Sequence, residues 1–254
     1  MSEYVPDLVS IITPAYCVES IIIETIDSVI KQTYQNWEML IADDCSLDST
    51  VQVVEQAAKI DPRIRLLRCQ RNGGPAAARN MALSHAQGRW IAFLDSDDIW
   101  MPTKLEETMQ FAMDKNSALT FTGFRRISSD HKLLGHSVNI PSSLNYHQLL
   151  SNTAIATSTV LIDRALVGEV IMQKVYYDDF VCWLGILKRN FIAYGLRKDL
   201  MYYRVVKGSV SRNKRKSAVE VWRIYRDVEK LNFIYSTWSF VGYTFRALKK
   251  YRNF

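Results

Sequence analysis

The chain has 254 residues, 48% of them apolar and 23% charged, with only 10 Gly and 6 Pro. This length suits one large α/β domain, or one domain with a small appendage, that buries its core without disulfides. The composition excludes disordered, collagen-like and low-complexity proteins. The four cysteines, Cys17, Cys45, Cys69 and Cys182, have no paired spacing. They support neither a zinc ribbon nor a disulfide framework, and a reducing cytosolic compartment is expected.

The charge is unevenly distributed along the chain. Residues 204–254 hold 13 Lys and Arg against 3 acidic residues, a net charge of +10, while the first 203 residues carry 19 against 23, a net charge of −4. The two parts of the chain are therefore expected to bind different partners. No secretory signal is visible at the N-terminus. The uncharged aromatic segment 231–245 has 15 residues, fewer than the ~20 that a membrane-spanning helix needs.

The first hundred residues alternate between short apolar runs and amphipathic helical spacing. The apolar runs predict strands at 8–13, 37–42, 64–67 and 90–94. The helical spacing predicts helices at 18–32, 48–60 and 75–86, the last with Pro75 at its first position. This order predicts a parallel sheet with helices on both faces. Ligands of such sheets bind at the carboxyl ends of the strands.

The second half has weaker patterns. Helices are predicted at 102–115 and 179–188, and strands at 119–124, at 160–162 and from Tyr202 up to the loop at 207–211. Residues 127–157 are predicted to be rich in loops. From Ser217 onward the pattern predicts two helices.

Three acidic clusters lie where predicted strands end or helices begin. Asp95, Asp97 and Asp98 are carboxylates that repel one another unless they are solvated, paired or bound to a cation. Oxygen ligands of this kind suit Mg²⁺ or Mn²⁺, although a solvated turn before a helix explains the spacing equally well. Asp43–Asp44 and Asp178–Asp179 have a capping interpretation, which the spacing alone favours. The functional alternatives are a carboxylate that accepts hydrogen bonds from a nucleotide and a general base.

Several motifs resemble those of a known family when they are considered together and in their order along the chain, although no single motif is decisive. These motifs are Ile12–Tyr16, Ile30–Trp37, Ile41–Asp48, Asn72–Asn80 and Ile91–Asp98. Together they resemble the nucleotide-binding half of family 2 glycosyltransferases with the GT-A fold. The resemblance continues through Asp178–Leu184 and Tyr203–Ser211 and covers about residues 8–215. It is strongest to bacterial enzymes of surface-polysaccharide assembly, of the teichuronic acid, O-antigen or capsule type.

The resemblance implies a fold and an activity. The fold is α/β of the GT-A type, with a mostly parallel central sheet flanked by helices and a C-terminal helical appendage. Residues 1–215 would form the glycosyltransferase domain, with a nucleotide-binding half (1–100) and an acceptor and catalytic half (101–215). Residues 216–254 would form basic aromatic C-terminal helices. The implied activity is inverting transfer of a sugar from a nucleotide-diphosphate donor, expected to be a UDP-sugar. The implied acceptor is a hydroxyl of a lipid-linked or growing saccharide.

The resemblance also implies a role for several residues of the first half. Pro14, Ala15 and Tyr16 would form part of the nucleotide-sugar site at the end of the first strand. Asp44 would accept a hydrogen bond from the uracil ring. Arg79 would lie near the ribose or the diphosphate, although an Arg at this position could also form a surface ion pair.

The remaining implied roles concern the metal, the base and a closing loop. Asp95, Ser96 and Asp97 match the D-x-D element of the family, with Asp97 as ligand of a divalent cation, Mg²⁺ or Mn²⁺. Asp95 would contact the ribose or support the metal shell. Asp179 would be the catalytic base. Arg204 would bind the nucleotide-sugar from a late loop that includes Ser209 and Ser211 and closes over the diphosphate.

The sequence departs from the family pattern at three positions. Cys17 stands where Asn is usual, Cys45 stands where Gly is usual, and Asp178 stands where Glu is usual. The position of Cys45 often favours positive φ, which a side chain disfavours. These departures leave the implied metal ligand and base in place and bear on the nucleobase contacts.

The tail at 212–254 combines basic residues with aromatic helices, a pattern typical of segments that lie on an anionic membrane. We expect a cytoplasmic protein in peripheral contact with the inner membrane, without a nucleic-acid partner. The alternative is a helix pair that packs on the domain. Two other functions stay open: a non-catalytic nucleotide-sugar-binding protein, and a sugar nucleotidyltransferase, which would normally have a glycine-rich basic loop where this chain has Thr13–Tyr16.

Overall fold

The computed structural model describes residues 4–128, 131–152, 154–205 and 214–251. The strands within these ranges are β1 (Val5–Ala15), β2 (Trp37–Asp43), β3 (Ile64–Arg68), β4 (Gly88–Phe93), β5 (Ile99–Trp100), β6 (Leu119–Ser128), β7 (Leu134–Ser137), β8 (Ser143–Leu144), β9 (Leu161–Asp163) and β10 (Ala193–Val205). The α-helices are α1 (Ile22–Ile30), α2 (Thr50–Ile60), α3 (Pro75–His85), α4 (Lys104–Lys115), α5 (Tyr146–Leu150), α6 (Arg164–Val167), α7 (Asp178–Leu187), α8 (Lys214–Arg223) and α9 (Phe233–Tyr251).

One mixed sheet organises the domain, with strand order β3-β2-β1-β4-β9-β6-β10-β5. β1 pairs in parallel with both β2 and β4, with Val9 opposite Trp37 and Trp90. β6 pairs in parallel with β10. The short β9 is antiparallel to both β4 and β6, so the six longer strands all run in one direction. The prediction of a mostly parallel sheet flanked by helices is confirmed.

Both faces of the sheet are buried, which explains why its strands read as continuous apolar runs. Ile11 and Ile12 are neighbours on β1 and point to opposite faces, yet neither is exposed. Ile11 belongs to a core formed with α1, α2 and α4. Ile12 belongs to a core formed with α3, α7 and the start of the C-terminal tail.

The prediction for the middle of the chain was partly wrong. Residues 127–157 include β7, β8 and α5 as well as loops. α5 begins with a capping box, in which the Asn145 side chain and Gln148 satisfy each other's backbone N–H groups. β10 begins at Ala193, nine residues before the predicted strand. Charged Arg197 and Lys198 interrupt its apolar pattern, and its pairing with β6 provides the register that the pattern lacks.

The C-terminal tail packs on the domain. Val221, Ile224 and Tyr225 are almost fully buried and join the core beside α5. The Tyr225 hydroxyl donates to the carbonyl of Leu150, and Trp222 lies edge-on to two aromatic rings of α9. The tail therefore shares its core with the domain. Within the described residues, the helices do not combine the length and apolar character of a membrane span.

Candidate active site

Three neighbouring strands bring the predicted site residues of the first half to one edge of the sheet. β2, β1 and β4 run in parallel, and their carboxyl ends are followed by Asp44, Tyr16 and Asp95 respectively. Ala15 is buried and Pro14 is half-buried, whereas the Tyr16 side chain is 48% exposed. Of the predicted β1 residues, Tyr16 thus presents the most surface to a ligand.

Asp44 joins β2 to the start of α3. Its two carboxylate oxygens accept hydrogen bonds from the backbone N–H groups of Gly73 and Gly74, each at 2.8 Å. Gly74 has φ +83°, a conformation that favours glycine. Asp44 is 3% exposed, and each oxygen keeps further acceptor capacity. The carboxylate is therefore held rigidly beside the predicted nucleobase position.

Two of the unusual residues adopt positive φ. Cys45 has φ +64°, as the family pattern led us to expect for that position, and Cys17 has φ +51°. The Cys45 thiol lies 3.2 Å from the carbonyl oxygen of Cys69, and the N–H of Cys17 donates to the hydroxyl of Ser46 at 2.9 Å. The three thiols at this end of the sheet are free.

The acidic loop, residues 95–98, is crowded and mostly buried. The Asp98 carboxylate accepts from the Ser158 hydroxyl at 2.6 Å and from the N–H of Arg204 at 3.1 Å. Burial and the charge of Asp95 raise the pKa of Asp97 to about 6. Burial, with the charges of Asp97 and Asp95, raises the pKa of Asp98 well above its ordinary value. A cation would relieve this repulsion.

The rest of the acidic loop shows which groups remain open to a ligand. Asp95 keeps 30% of its side chain exposed. Ser96 is buried, and its carbonyl accepts from the Thr25 hydroxyl at 3.0 Å. In the described part of the chain, three metal-ligating side chains do not come together as one group. Asp95 and Asp97 are the two carboxylates of this loop that are only partly buried.

Arg79 ties the acidic loop to the start of α7. Its guanidinium donates to Asp95 at 2.6 Å and to Asp178 at 2.7 Å, and its side chain is 7% exposed. Burial opposes its charge, but Asp95 and Asp178 raise the pKa of Arg79 above its ordinary value. Burial raises the pKa of Asp178 although Arg79 lowers it. Arg79 is therefore a buried residue that forms ion pairs with two aspartates, and the surface ion pair considered from the sequence does not form.

Asp179 lies next to this bridge, in the first turn of α7. One of its carboxylate oxygens accepts from the N–H of Phe180 at 2.7 Å, and the other accepts from the Thr157 hydroxyl at 2.6 Å. The predicted base and the D-x-D residues are therefore connected through Asp178, Arg79 and Asp95.

Arg204, at the end of β10, lies beneath the acidic loop. Its side chain is 1% exposed. The guanidinium donates to the carbonyl of Asp97 at 2.8 Å and to Glu24 at 2.7 Å. Its immediate role in this structure is to support the loop that carries the predicted metal ligand. The loop residues Ser209 and Ser211 lie outside the described residues.

Sequence reasoning missed several residues of this site. Thr157 contacts Asp179, the predicted base, and Ser158 contacts the acidic loop. Glu24 and His131 contact Arg204. Isolated polar residues in weakly patterned segments leave no local signal. The run of three hydroxyl residues before β9, Thr157–Thr159, could have been noticed because it directly precedes a buried strand.

The sequence match to a known family decides which family the chain belongs to. Residues 10–168 match the model of Glycosyl transferase family 2. The chain belongs to this family. The match covers the sheet edge from Pro14 to Ser158, so this family 2 glycosyltransferase has the acidic loop within the family's own region, while Asp179 lies beyond it.

Curated relatives extend the similarity over almost the whole chain. One is the putative teichuronic acid biosynthesis glycosyltransferase TuaG of Bacillus subtilis, 43% identical over 98% of this chain and 99% of the relative. Another is the glucosyltransferase WfgD of Escherichia coli, 40% identical over 89% of this chain and 87% of the relative. These relatives support a transferase enzyme.

Solved structures confirm the fold. The chain resembles S. aureus TarS 1-349 in complex with UDP, with a TM-score of 0.70 at 20% identity over 96% of this chain and 72% of that one. It also resembles the mannosyltransferase PcManGT of Pyrobaculum calidifontis in complex with GDP-Man and Mn²⁺, with a TM-score of 0.69 at 16% identity over 95% and 74%. The expected GT-A fold is confirmed.

Proposed function

We propose that this enzyme transfers a sugar from a UDP-sugar to a hydroxyl of a lipid-linked or growing saccharide, with inversion, in surface polysaccharide biosynthesis. One observation carries the proposal. Asp179, the candidate base, is connected to the candidate metal loop through the buried chain Asp178–Arg79–Asp95. Because both groups belong to one rigid network, a donor on the loop and an acceptor at the base would be held in a defined relation.

The relatives favour this donor and acceptor. The E. coli relative is named as a β-1,3-glucosyltransferase that uses UDP-Glc and α-D-GlcNAc-diphosphoundecaprenol. The B. subtilis relative is named for teichuronic acid biosynthesis. We infer a UDP-sugar donor and an acceptor of the same lipid-linked class.

The donor is proposed to bind at the carboxyl ends of β1, β2 and β4. Tyr16, with Pro14 and Ala15 beneath it, would contact the nucleobase, and Asp44 would accept a hydrogen bond from it. The Asp44 carboxylate is already fixed by two backbone N–H groups. Such preorganisation spares the ordering cost at binding.

A divalent cation, Mg²⁺ or Mn²⁺, fits the acidic loop. The donor set is carboxylate oxygen. Burial and the charge of Asp95 raise the pKa of Asp97, and a cation would offset the repulsion between the two carboxylates. Asp97 would hold the ion, with Asp95 in support, and Arg204 would hold the loop in place. When bound, the ion would neutralise charge on the leaving diphosphate.

Asp179 is proposed to act as general base. It would take the proton from the acceptor hydroxyl as that oxygen attacks the anomeric carbon. The bond between this carbon and the diphosphate oxygen breaks on the opposite face, and the configuration inverts. Arg79 and Thr157 would hold the base and its neighbour in place.

Calorimetric titration of UDP, with and without Mn²⁺, tests the donor site first. Tighter binding with Mn²⁺ is expected, and Asp97→Ala should remove the difference. UDP release from UDP-Glc with GlcNAc-diphosphoundecaprenol as acceptor then tests transfer. A non-catalytic protein would bind UDP without releasing UDP from UDP-Glc. A nucleotidyltransferase would instead form UDP-Glc and pyrophosphate when given UTP and glucose 1-phosphate.

The variant Asp179→Asn separates binding from chemistry. It should keep UDP affinity and lose transfer by about 10²- to 10⁴-fold, the usual contribution of a general base. Asp27→Asn, on the exposed side of α1, is the matched control and should behave like the wild type. Loss of UDP binding in Asp179→Asn, or full transfer by it, would overturn the assignment.

We further propose that α9 makes peripheral contact with anionic lipid at the cytoplasmic face of the inner membrane. The helix packs one face on the domain through residues such as Ser236 and Ser239, which are fully buried. Its opposite face is an exposed apolar stripe with helical spacing. The stripe consists of Ile234, Trp238, Val241 and Phe245. Together with the +10 charge of residues 204–254, it suits the headgroup region of an anionic bilayer.

A point variant tests the membrane contact better than truncation, because Val221, Ile224 and Tyr225 belong to the core. Ile234 and Ile60 are 81% and 84% exposed, the first on α9 and the second at the end of α2. In flotation with phosphatidylglycerol–phosphatidylcholine vesicles, Ile234→Glu should reduce binding and Ile60→Glu should not. Equal flotation of the two variants, or no flotation of the wild type, would refute this contact.

A further inference from the structure

One short turn contacts both the candidate base and the acidic loop. Thr157–Thr159 forms a single 3-10 turn directly before β9. The Thr157 hydroxyl donates to Asp179 at 2.6 Å, and the Ser158 hydroxyl donates to Asp98 at 2.6 Å. Since the two residues are adjacent in the chain, the candidate base and the acidic loop are held by one rigid element.

Further hydrogen bonds of Ser158 hold the turn in place. The Ser158 hydroxyl also accepts from the N–H of Asp95 at 3.0 Å, and its carbonyl accepts from the Trp100 indole at 2.8 Å. Thr157 therefore offers its hydroxyl from a turn that is hydrogen-bonded to the acidic loop.

Asp179 depends on this contact for its orientation. One oxygen is held by the N–H of Phe180, within its own helix turn. The other is held by Thr157, which lies 22 residues earlier in the chain. Without the Thr157 hydroxyl, the carboxylate would keep only its hydrogen bond from Phe180 among the described residues, and it could rotate about its side-chain bonds.

We infer that Thr157 is a positioning residue for the base, and that it sets the orientation of Asp179 relative to the acidic loop. The inference rests on the proposed role of Asp179. A hydrogen bond to a charged group is a strong one, and a misplacement of about 1 Å near the chemistry can reduce a rate about 10²-fold.

Three variants of the full chain test the inference. Thr157→Val keeps the shape and removes the donor, and Thr157→Ser keeps the donor. Thr159→Val removes a buried hydroxyl of the same turn that donates to the carbonyl of Ala156 instead of to Asp179 or the acidic loop. With UDP-Glc and GlcNAc-diphosphoundecaprenol, Thr157→Val should lower kcat about 10- to 100-fold with little change in the KM for UDP-Glc. Thr157→Ser should restore most of kcat, and Thr159→Val should keep it.

Crystal structures of the two valine variants give a readout that does not need an acceptor. In Thr157→Val the Asp179 carboxylate should rotate or occupy more than one conformer, and in Thr159→Val it should keep its place. An unchanged Asp179 in Thr157→Val, or equal losses of kcat in the two valine variants, would overturn the inference. If Asp179→Asn is itself fully active, the proposed base fails instead, so the two failures are distinguishable.

Discussion

Replacing Asp97 by asparagine should stabilise the cation-free protein while it removes metal-dependent nucleotide binding. Burial and Asp95 raise the pKa of Asp97 from 3.8 to about 6. At about 1.36 kcal/mol per pH unit, this rise corresponds to about 3 kcal/mol. Because the folded state holds the proton more tightly than the unfolded state, the wild type loses this stability as the pH rises from 3.8 through 6. The ionised carboxylate therefore destabilises the fold at pH 8.

Urea unfolding at two pH values measures this effect. In the absence of divalent cations, the free energy of unfolding of Asp97→Asn should exceed that of the wild type by about 3 kcal/mol at pH 8 and by about half as much at pH 5. The exposed Asp27→Asn should show no gain. With Mn²⁺ present, UDP at about 100 times its dissociation constant should stabilise the wild type by about 2.7 kcal/mol relative to Mn²⁺ alone, and Asp97→Asn much less. A variant less stable than the wild type at pH 8, or a gain that does not change with pH, would refute the reasoning.

Three further predictions concern the surroundings of the site. Arg79→Ala leaves Asp95 and Asp178 without their buried cation, and it should lower the free energy of unfolding by about 3–5 kcal/mol in urea titrations; adding Asp178→Asn should recover part of this loss. Cys45 has φ +64°, so Cys45→Gly should be more stable than Cys45→Ala by about 1 kcal/mol in thermal unfolding, and the opposite order would contradict the strain argument. The Lys104 amine is fully buried, and burial lowers its pKa to about 7. Lys104→Met should therefore raise stability at pH 7, and the gain should shrink as the pH approaches 10.5, where the unfolded lysine also loses its proton.

The first half of the domain was predictable because its signals are local. β1 to β4 and the helices between them follow from apolar periodicity, and Pro75 begins α3 as expected. The acidic residues at strand ends were visible as a candidate site because parallel strands place their carboxyl ends together. β10 and α5 were harder to predict, since pairing and capping, rather than an apolar run, define them.

The sequence by itself determined the α/β class, the family and which acidic residues are candidates for the site. These follow from composition and from the order of residues along the chain. Only the tertiary structure decided what those residues contact. Arg79 meets Asp178 across 99 positions and Arg204 meets Glu24 across 180, and Thr157 reaches Asp179 from a different element. Such partners depend on the strand order, in which β9 enters between β4 and β6. A single charged or hydroxyl side chain leaves no periodic pattern in the sequence, so its partner could not be predicted from the sequence.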